Sequence, residues 1–236
     1  MATVIRQDAS GFYYVETNKG GCWKNYNYID PNTGQYTPDE PHMLNNAELI
    51  CGLLLDYGWT LKPICGVLGN MAAESRMNPA QGEDGKKYLG SYGYGLCQWT
   101  PSSKYTNWAK RHNRSIFSGY YQTDFLDETG EDEWIINPNY SYNISWEDFI
   151  IYDGTDYDAE WLAMAFFRNY ERGAYLPTYR QYCADWYYSY FSGTTPPDPP
   201  TPDPAPYQPY RVQGMPPWMM LKRREVFEMI RKESLW

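Results

Sequence analysis

Histidine is nearly missing from this chain of 236 residues: His42 and His112 are the only two, far apart in sequence. A zinc centre needs clustered ligands, and two distant histidines do not offer them. The cysteines, at 22, 51, 65, 97 and 183, are odd in number and show no C-x-x-C spacing, which argues against a disulfide framework and reads as mostly buried thiols. Basic residues are in deficit, 20 against 29 acidic ones, for a net charge of −9 and a pI near 4.8. Nucleic-acid binding rests on cations meeting phosphates, so that class is set aside, as is electrostatic capture of anionic polymers. No apolar run approaches the ~20 residues needed to span a bilayer. The opening residues, MATVIRQDASGFYYVE, have neither the charged start nor the long apolar core of a signal peptide, so export by the general secretory route is not expected. No nucleotide motif is present, and no cofactor or metal is expected.

What the chain does have is aromatic weight: 18% of its residues, with 25 tyrosines and 10 tryptophans. Such rings offer a flat apolar body with a polar tip, which suits carbohydrate grooves and wet protein contacts as well as cores.

The stretch from 66 to 99 carries the chemistry. GVLGNMAAESRMNP reads as a helix bringing Glu74 to its C-terminal end, stopped at Asn78-Pro79 because the residue before proline is pushed out of helical space. Gly90, Gly93 and Gly95 follow within the segment GSYGYGLCQWT; glycines that dense let backbone lie close against something bulky. A carboxylate in the last turn meets the negative end of the helix dipole. Apolar neighbours, with Leu68, Met71, Met77 and Trp99 as candidates, would further favour its protonated form. A carboxylic acid that keeps its proton near neutral pH is what glycoside hydrolysis requires.

GNMAAESRMNP followed by GYGLCQWT resembles the active-site signature of the phage tail lysozyme family. It is similar, more distantly, to goose-type lysozymes and soluble lytic transglycosylases, with their E-S and G-x-G-L-x-Q motifs. The segment FFRNYERGAYLPTYRQYCADWY resembles the family's closing F-x-x-x-Y-E-R motif, with Phe166, Tyr170 and Glu171 in the matching places. The likeness covers roughly residues 44 to 192. It implies a mainly α, lysozyme-like helical domain with Glu74 as the catalytic acid, Ser75 as its supporting neighbour, and Gly95, Leu96 and Gln98 as the groove wall. It further implies that Tyr170 contacts substrate or the acid. The expected substrate is a peptidoglycan glycan strand, cleaved between N-acetylmuramic acid and N-acetylglucosamine. Gln98 would hold N-acetyl arms, and Trp99 or Tyr94 would pack on a ring face.

A second carboxylate remains to be assigned, since inverting and retaining hydrolases both use one. Glu83 and Asp84 lie before the glycines, Asp124, Asp127 and Glu128 come later, and Glu171 falls in the closing motif. The resemblance implies a virion protein of the phage tail acting on the host wall, with an endolysin or a lytic transglycosylase as alternatives. A peptidase or amidase using Cys97 with His42 or His112 is a more distant reading, as is an inactive structural tail protein.

Four segments are expected. Residues 1–43 form an N-terminal β-rich extension, with FYYVE and CWKNYNYI as two strands of a hairpin around TNKGG. Residues 44–193 form the catalytic domain, its first helix capped by Asn45 with Glu48 and its second by Thr60. Residues 194–210, TTPPDPPTPDPAPYQPY, are a Pro-rich linker of extended polyproline character. Residues 211–236 carry a short basic amphipathic helix whose apolar face docks on a partner, expected to be other phage tail proteins, with membrane-surface binding as the second use.

Overall fold

The computed structural model describes residues 4–16, 38–83, 91–173 and 178–197. The expected strand at 22–29, Cys22, Asp84, Gly90, most of the Pro-rich linker and the helix expected within 211–236 lie outside these residues. The described chain is mainly helical: β1 (Val4–Gln7), β2 (Tyr13–Glu16), α1 (Pro41–Asp56), α2 (Leu61–Ser75), α3 (Ser103–Arg111), α4 (Gly119–Glu133), α5 (Trp146–Ile150), α6 (Ala159–Asn169) and α7 (Thr178–Ser192).

Helix α2 is the central rod, packed chiefly against α7 and α6. Its sequence explains the closeness. A methyl at Gly66 would sit 2.8 Å from the Ala163 nitrogen of α6, and one at Gly69 would clash with the Arg180 carbonyl oxygen and Ala184 of α7. Leu68 and Met71 on the same helix are fully buried, so the 3.6-residue period of apolar and small residues is satisfied on several sides at once. No helix among the described residues is long and apolar enough to cross a membrane.

Among the described residues FYYVE pairs with the strand before it, and its expected partner at 22–29 lies outside them. Tyr13–Glu16 runs antiparallel to Val4–Gln7, with Ile5 opposite Val15 and Gln7 opposite Tyr13. A short Asp8-centred turn closes it, the Asp8 carboxylate accepting the Ser10 and Phe12 N–H groups. The turn of this hairpin lies before FYYVE, where the Gly11 N–H also donates to the Asp8 carbonyl. This segment braces the helices. Phe12 is fully buried against Gly119, where any side chain would overlap the ring. Buried Asn46 of α1 bonds both backbone groups of Tyr13, each at 2.8 Å, and the Met77 carbonyl at 2.8 Å.

Helix α1 starts earlier than its expected capping box. Pro41 opens it, and the buried Glu40 carboxylate accepts the Met43 N–H at 2.7 Å. Proline pre-sets the first helical φ and lacks an N–H to satisfy. Asn45 instead donates to Gly11 and Glu48 accepts from the Tyr190 hydroxyl. His42 consequently lies in a helix rather than a loop. Thr60 does occupy the N-cap position of α2, but its hydroxyl donates to the Tyr152 carbonyl rather than capping. Ser145 caps α5, accepting the Asp148 N–H.

The acidic side of α4 has a structural use. Tyr57 donates to Asp124, Trp59 Nε1 to Asp127 at 2.6 Å and Trp108 Nε1 to Glu128 at 3.0 Å. These three carboxylates, candidates for catalysis from sequence, satisfy the polar tips of half-buried and buried aromatic rings.

Candidate active site

Glu74 occupies the end of α2, but Asn78-Pro79 does not stop the helix. Arg76 and Met77 adopt left-handed backbone, with φ of 54° and 56°, and end it directly after Ser75. Non-glycine residues seldom do this. Here the Met77 side chain is fully buried and its carbonyl is taken by Asn46. Ser75, also fully buried, donates to the Leu96 carbonyl at 2.8 Å. The turn after α2 and the glycine-rich segment are thus locked to each other through the side chain next to Glu74.

That segment is held from behind by the protein itself. Gly95 has φ +83°, and a Cβ there would strike the Gln122 amide. Gln122 accepts the Leu96 N–H at 2.7 Å and donates to the Pro79 carbonyl at 2.6 Å. The close approach that sequence assigned to a ligand is, at Gly95, an approach of Gln122. Gly93 does face the cavity. The Gln98 amide nitrogen donates to the Gln81 and Gly95 carbonyls, each at 2.9 Å, so it shapes the wall.

The cavity measures about 410 Å³, within the ~300–1,000 Å³ usual for small-ligand sites. Four carboxyls line it, Glu74, Glu83, Glu133 and Glu171, together with Lys104, Arg172, Gln98, Trp99, Tyr170 and Cys97. Ser75, Tyr94, Gly95 and Leu96 are in the layer behind. Tyr94 is 1% exposed and donates to the Ile116 carbonyl, so its ring is not a platform for sugar. Trp99 packs on Tyr105 and Phe125 and donates to the Tyr170 hydroxyl at 2.8 Å. It presents an edge to the cavity, and Tyr170 is tied to it rather than to Glu74.

The surroundings of Glu74 are not the apolar ones expected. Arg180 of α7 donates through Nη2 to Glu74 and through Nη1 to Glu171 at 2.8 Å and to the Asn70 side chain at 2.9 Å. The guanidinium is buried over the Phe167 ring, 4.6 Å from its centroid, which adds a cation–π contact. Arg180 reaches this point because Gly69 leaves room for its backbone. Nothing in its local sequence marks it, since the residues it serves lie up to 106 positions away.

Glu171 is a buried carboxyl, its side chain 8% exposed. Burial pushes its pKa up; Arg180 pulls it down and Glu74 pushes it further up, for a net rise. Its Oε1 has no hydrogen-bond partner among the described residues. Glu83 lies at the exposed mouth, where its Oε2 accepts the Gly93 N–H at 2.7 Å. Glu133, which sequence reading passed over, ends α4 and holds two cations, Lys104 at 2.8 Å and Arg172 at 3.2 Å. Burial raises its pKa, but the two cations outweigh that and leave it lowered.

Cys97 is no nucleophile in this setting. Burial pushes its thiol well above the ordinary range. His42 bonds Glu40 and packs edge-on against Tyr13, while His112 bonds the Trp108 carbonyl. These partners of both histidines lie away from Cys97, and the cysteine–histidine reading requires an adjacent base.

A helical fold that sets a carboxyl at a helix end over a polar cavity defines a lysozyme-like protein. The family model for phage tail lysozymes matches residues 45–191, and this chain belongs to that family. It is similar to Morphogenesis protein 1 of Bacillus phage B103, 36% identical over 134 residues, a match covering 56% of this chain. The chain spans 35% of that relative's length.

Proposed function

We propose that the chain is a muramidase carried in a phage tail, cleaving the bond between N-acetylmuramic acid and N-acetylglucosamine to open the host wall. The observation that carries this reading is Glu74, which stands in the last turn of α2 and lines the cavity. Glu74 donates its proton to the glycosidic oxygen as the bond to the ring carbon breaks. Glu171 shares Arg180 with Glu74, and burial pushes its pKa up to about 8. Gln98, Trp99 and Tyr170 shape the glycan-facing wall.

Mass spectrometry of fragments released from purified peptidoglycan tests the reaction. New reducing N-acetylmuramic acid ends are expected. Fragments ending in 1,6-anhydro sugars would instead make the chain a lytic transglycosylase, and new amino groups would replace glycosidase activity with peptide or amide cleavage.

The name of the phage relative, a morphogenesis protein, supports a place in the virion over release at lysis. Residues 211–236 are then the docking segment for other tail proteins. Removing residues 194–236 is expected to leave wall hydrolysis within a few-fold of the full chain while lowering incorporation into particles, measured by immunoblot of purified virions. Normal incorporation of the truncated chain would remove the docking role.

A further inference from the structure

The four carboxyls of the cavity are not equivalent, and their partners sort them. Glu74 and Glu171 share Arg180. Glu83 takes one backbone N–H at the mouth, and no lysine or arginine pairs with it among the described residues. Glu133 alone has two cations of its own, Lys104 from the start of α3 and Arg172 from the segment after α6. Both bind the same oxygen, Oε2, and Arg172 also donates to the Glu133 carbonyl at 2.9 Å. Oε1 is left uncommitted among the described residues.

The position is costly unless it is used. A carboxylate at a helix C-terminus opposes the dipole, whereas Asp124, Asp127 and Glu128, earlier in α4, meet aromatic O–H and N–H groups. Arg172 reaches Glu133 from a left-handed backbone, φ 59°, a conformation that persists only where the surroundings enforce it. Tyr170, Glu171 and Arg172 are consecutive, yet they turn to Trp99, Arg180 and Glu133 respectively. Three neighbouring side chains so divided hold three separate parts of one cavity.

We propose that Glu133 is the anionic partner of Glu74: the carboxylate that faces the positive charge developing on the sugar ring during cleavage. This rests on the muramidase reading and deepens it. The bond from the ring carbon to the leaving oxygen breaks with its electron pair going to the oxygen, which takes the proton of Glu74. Positive charge spreads over the ring carbon and ring oxygen, opposite the Glu133 carboxylate. Water then adds to that carbon and returns a proton to the cavity's carboxylates, closing the cycle. Lys104 and Arg172 keep Glu133 ionised against its partial burial, while Glu74, Glu83, Glu171 and Tyr170 face the same space.

The test uses the full chain on purified peptidoglycan, read by reducing ends. Glu133→Gln is expected to lower turnover by about 10²- to 10³-fold, the range for losing one preorganised electrostatic contact to a transition state, with its melting temperature near that of the parent. In Glu133→Ala, added azide is expected to accelerate turnover by standing in for the missing anion. Lys104→Gln is expected to move the acidic limb of the kcat/KM profile to higher pH, because Glu133 then loses its charge earlier on acidification. An active parent, an inactive Glu74→Gln and a Glu133→Gln within threefold of the parent would remove Glu133 alone. Should Glu133→Gln unfold, an unmoved acidic limb in Lys104→Gln would overturn the proposal. An inactive parent would remove the muramidase reading, and this proposal with it.

Discussion

Replacing Glu74 by glutamine is expected to lower turnover on purified cell walls by at least about 10²- to 10⁴-fold, the contribution usual for a positioned general acid. The substitution is close to isosteric. Glutamine can still accept the Arg180 N–H through its carbonyl oxygen, and Arg180 keeps Glu171 and Asn70. What is lost is the transferable proton. The melting curve should therefore shift by no more than a few degrees while reducing-end release falls to background. Turnover within threefold of the parent would end the assignment of Glu74 as the acid.

Arg180→Met should have the largest effect on stability. Methionine is apolar and of roughly similar reach, so the loss is chiefly one of charge and hydrogen bonds. Breaking a buried ionic group by removing one member costs on the order of 3–5 kcal/mol, since the remaining charges are left uncompensated. Here both Glu74 and Glu171 lose a donor, and so does the Asn70 side chain. The pH dependence has a definite sign. Arg180 is the influence that pulls Glu171 down, so without it the folded-state pKa of Glu171 rises further above its unfolded value. A carboxyl so raised contributes stability that is present below its unfolded pKa and is lost as pH rises through the folded one. The variant should therefore recover part of its stability between neutral and mildly acidic pH, in denaturant melts at pH 8 and pH 5. Equal losses at both pH values would mean that the buried carboxyls are not what the guanidinium compensates.

The same arginine shows where sequence reading reached its limit. Glu74 and Ser75 stand in one short motif and Gln98 in the next, which made these cavity-end residues legible. The closing motif led to Glu171. The expected apolar setting of Glu74 failed because the neighbour that matters belongs to α7, and only the missing side chain at Gly69 hints that α7 comes so close. The acids of α4 illustrate the other difficulty. Asp124, Asp127, Glu128 and Glu133 are chemically alike in the sequence, and three of them meet aromatic donors while the fourth meets the cavity. Composition offered no way to choose among them. A signal did exist in Arg172, which follows Tyr170 and Glu171 in the closing motif and carries a charge that needs a partner.

Local chemistry settled much of the helical content: apolar residues at helical spacing, Gly58 and Gly193 at helix ends, and the Ser145 cap all act within a few residues of themselves. It likewise singled out the acid at the end of α2. Only the folded chain decided which carboxyl meets which cation, which glycine lines the cavity and which meets Gln122, and that Tyr13–Glu16 pairs with Val4–Gln7. Those outcomes depend on side chains from distant segments competing for the same space and the same hydrogen bonds, and that competition exists only once α2, α4 and α7 have packed.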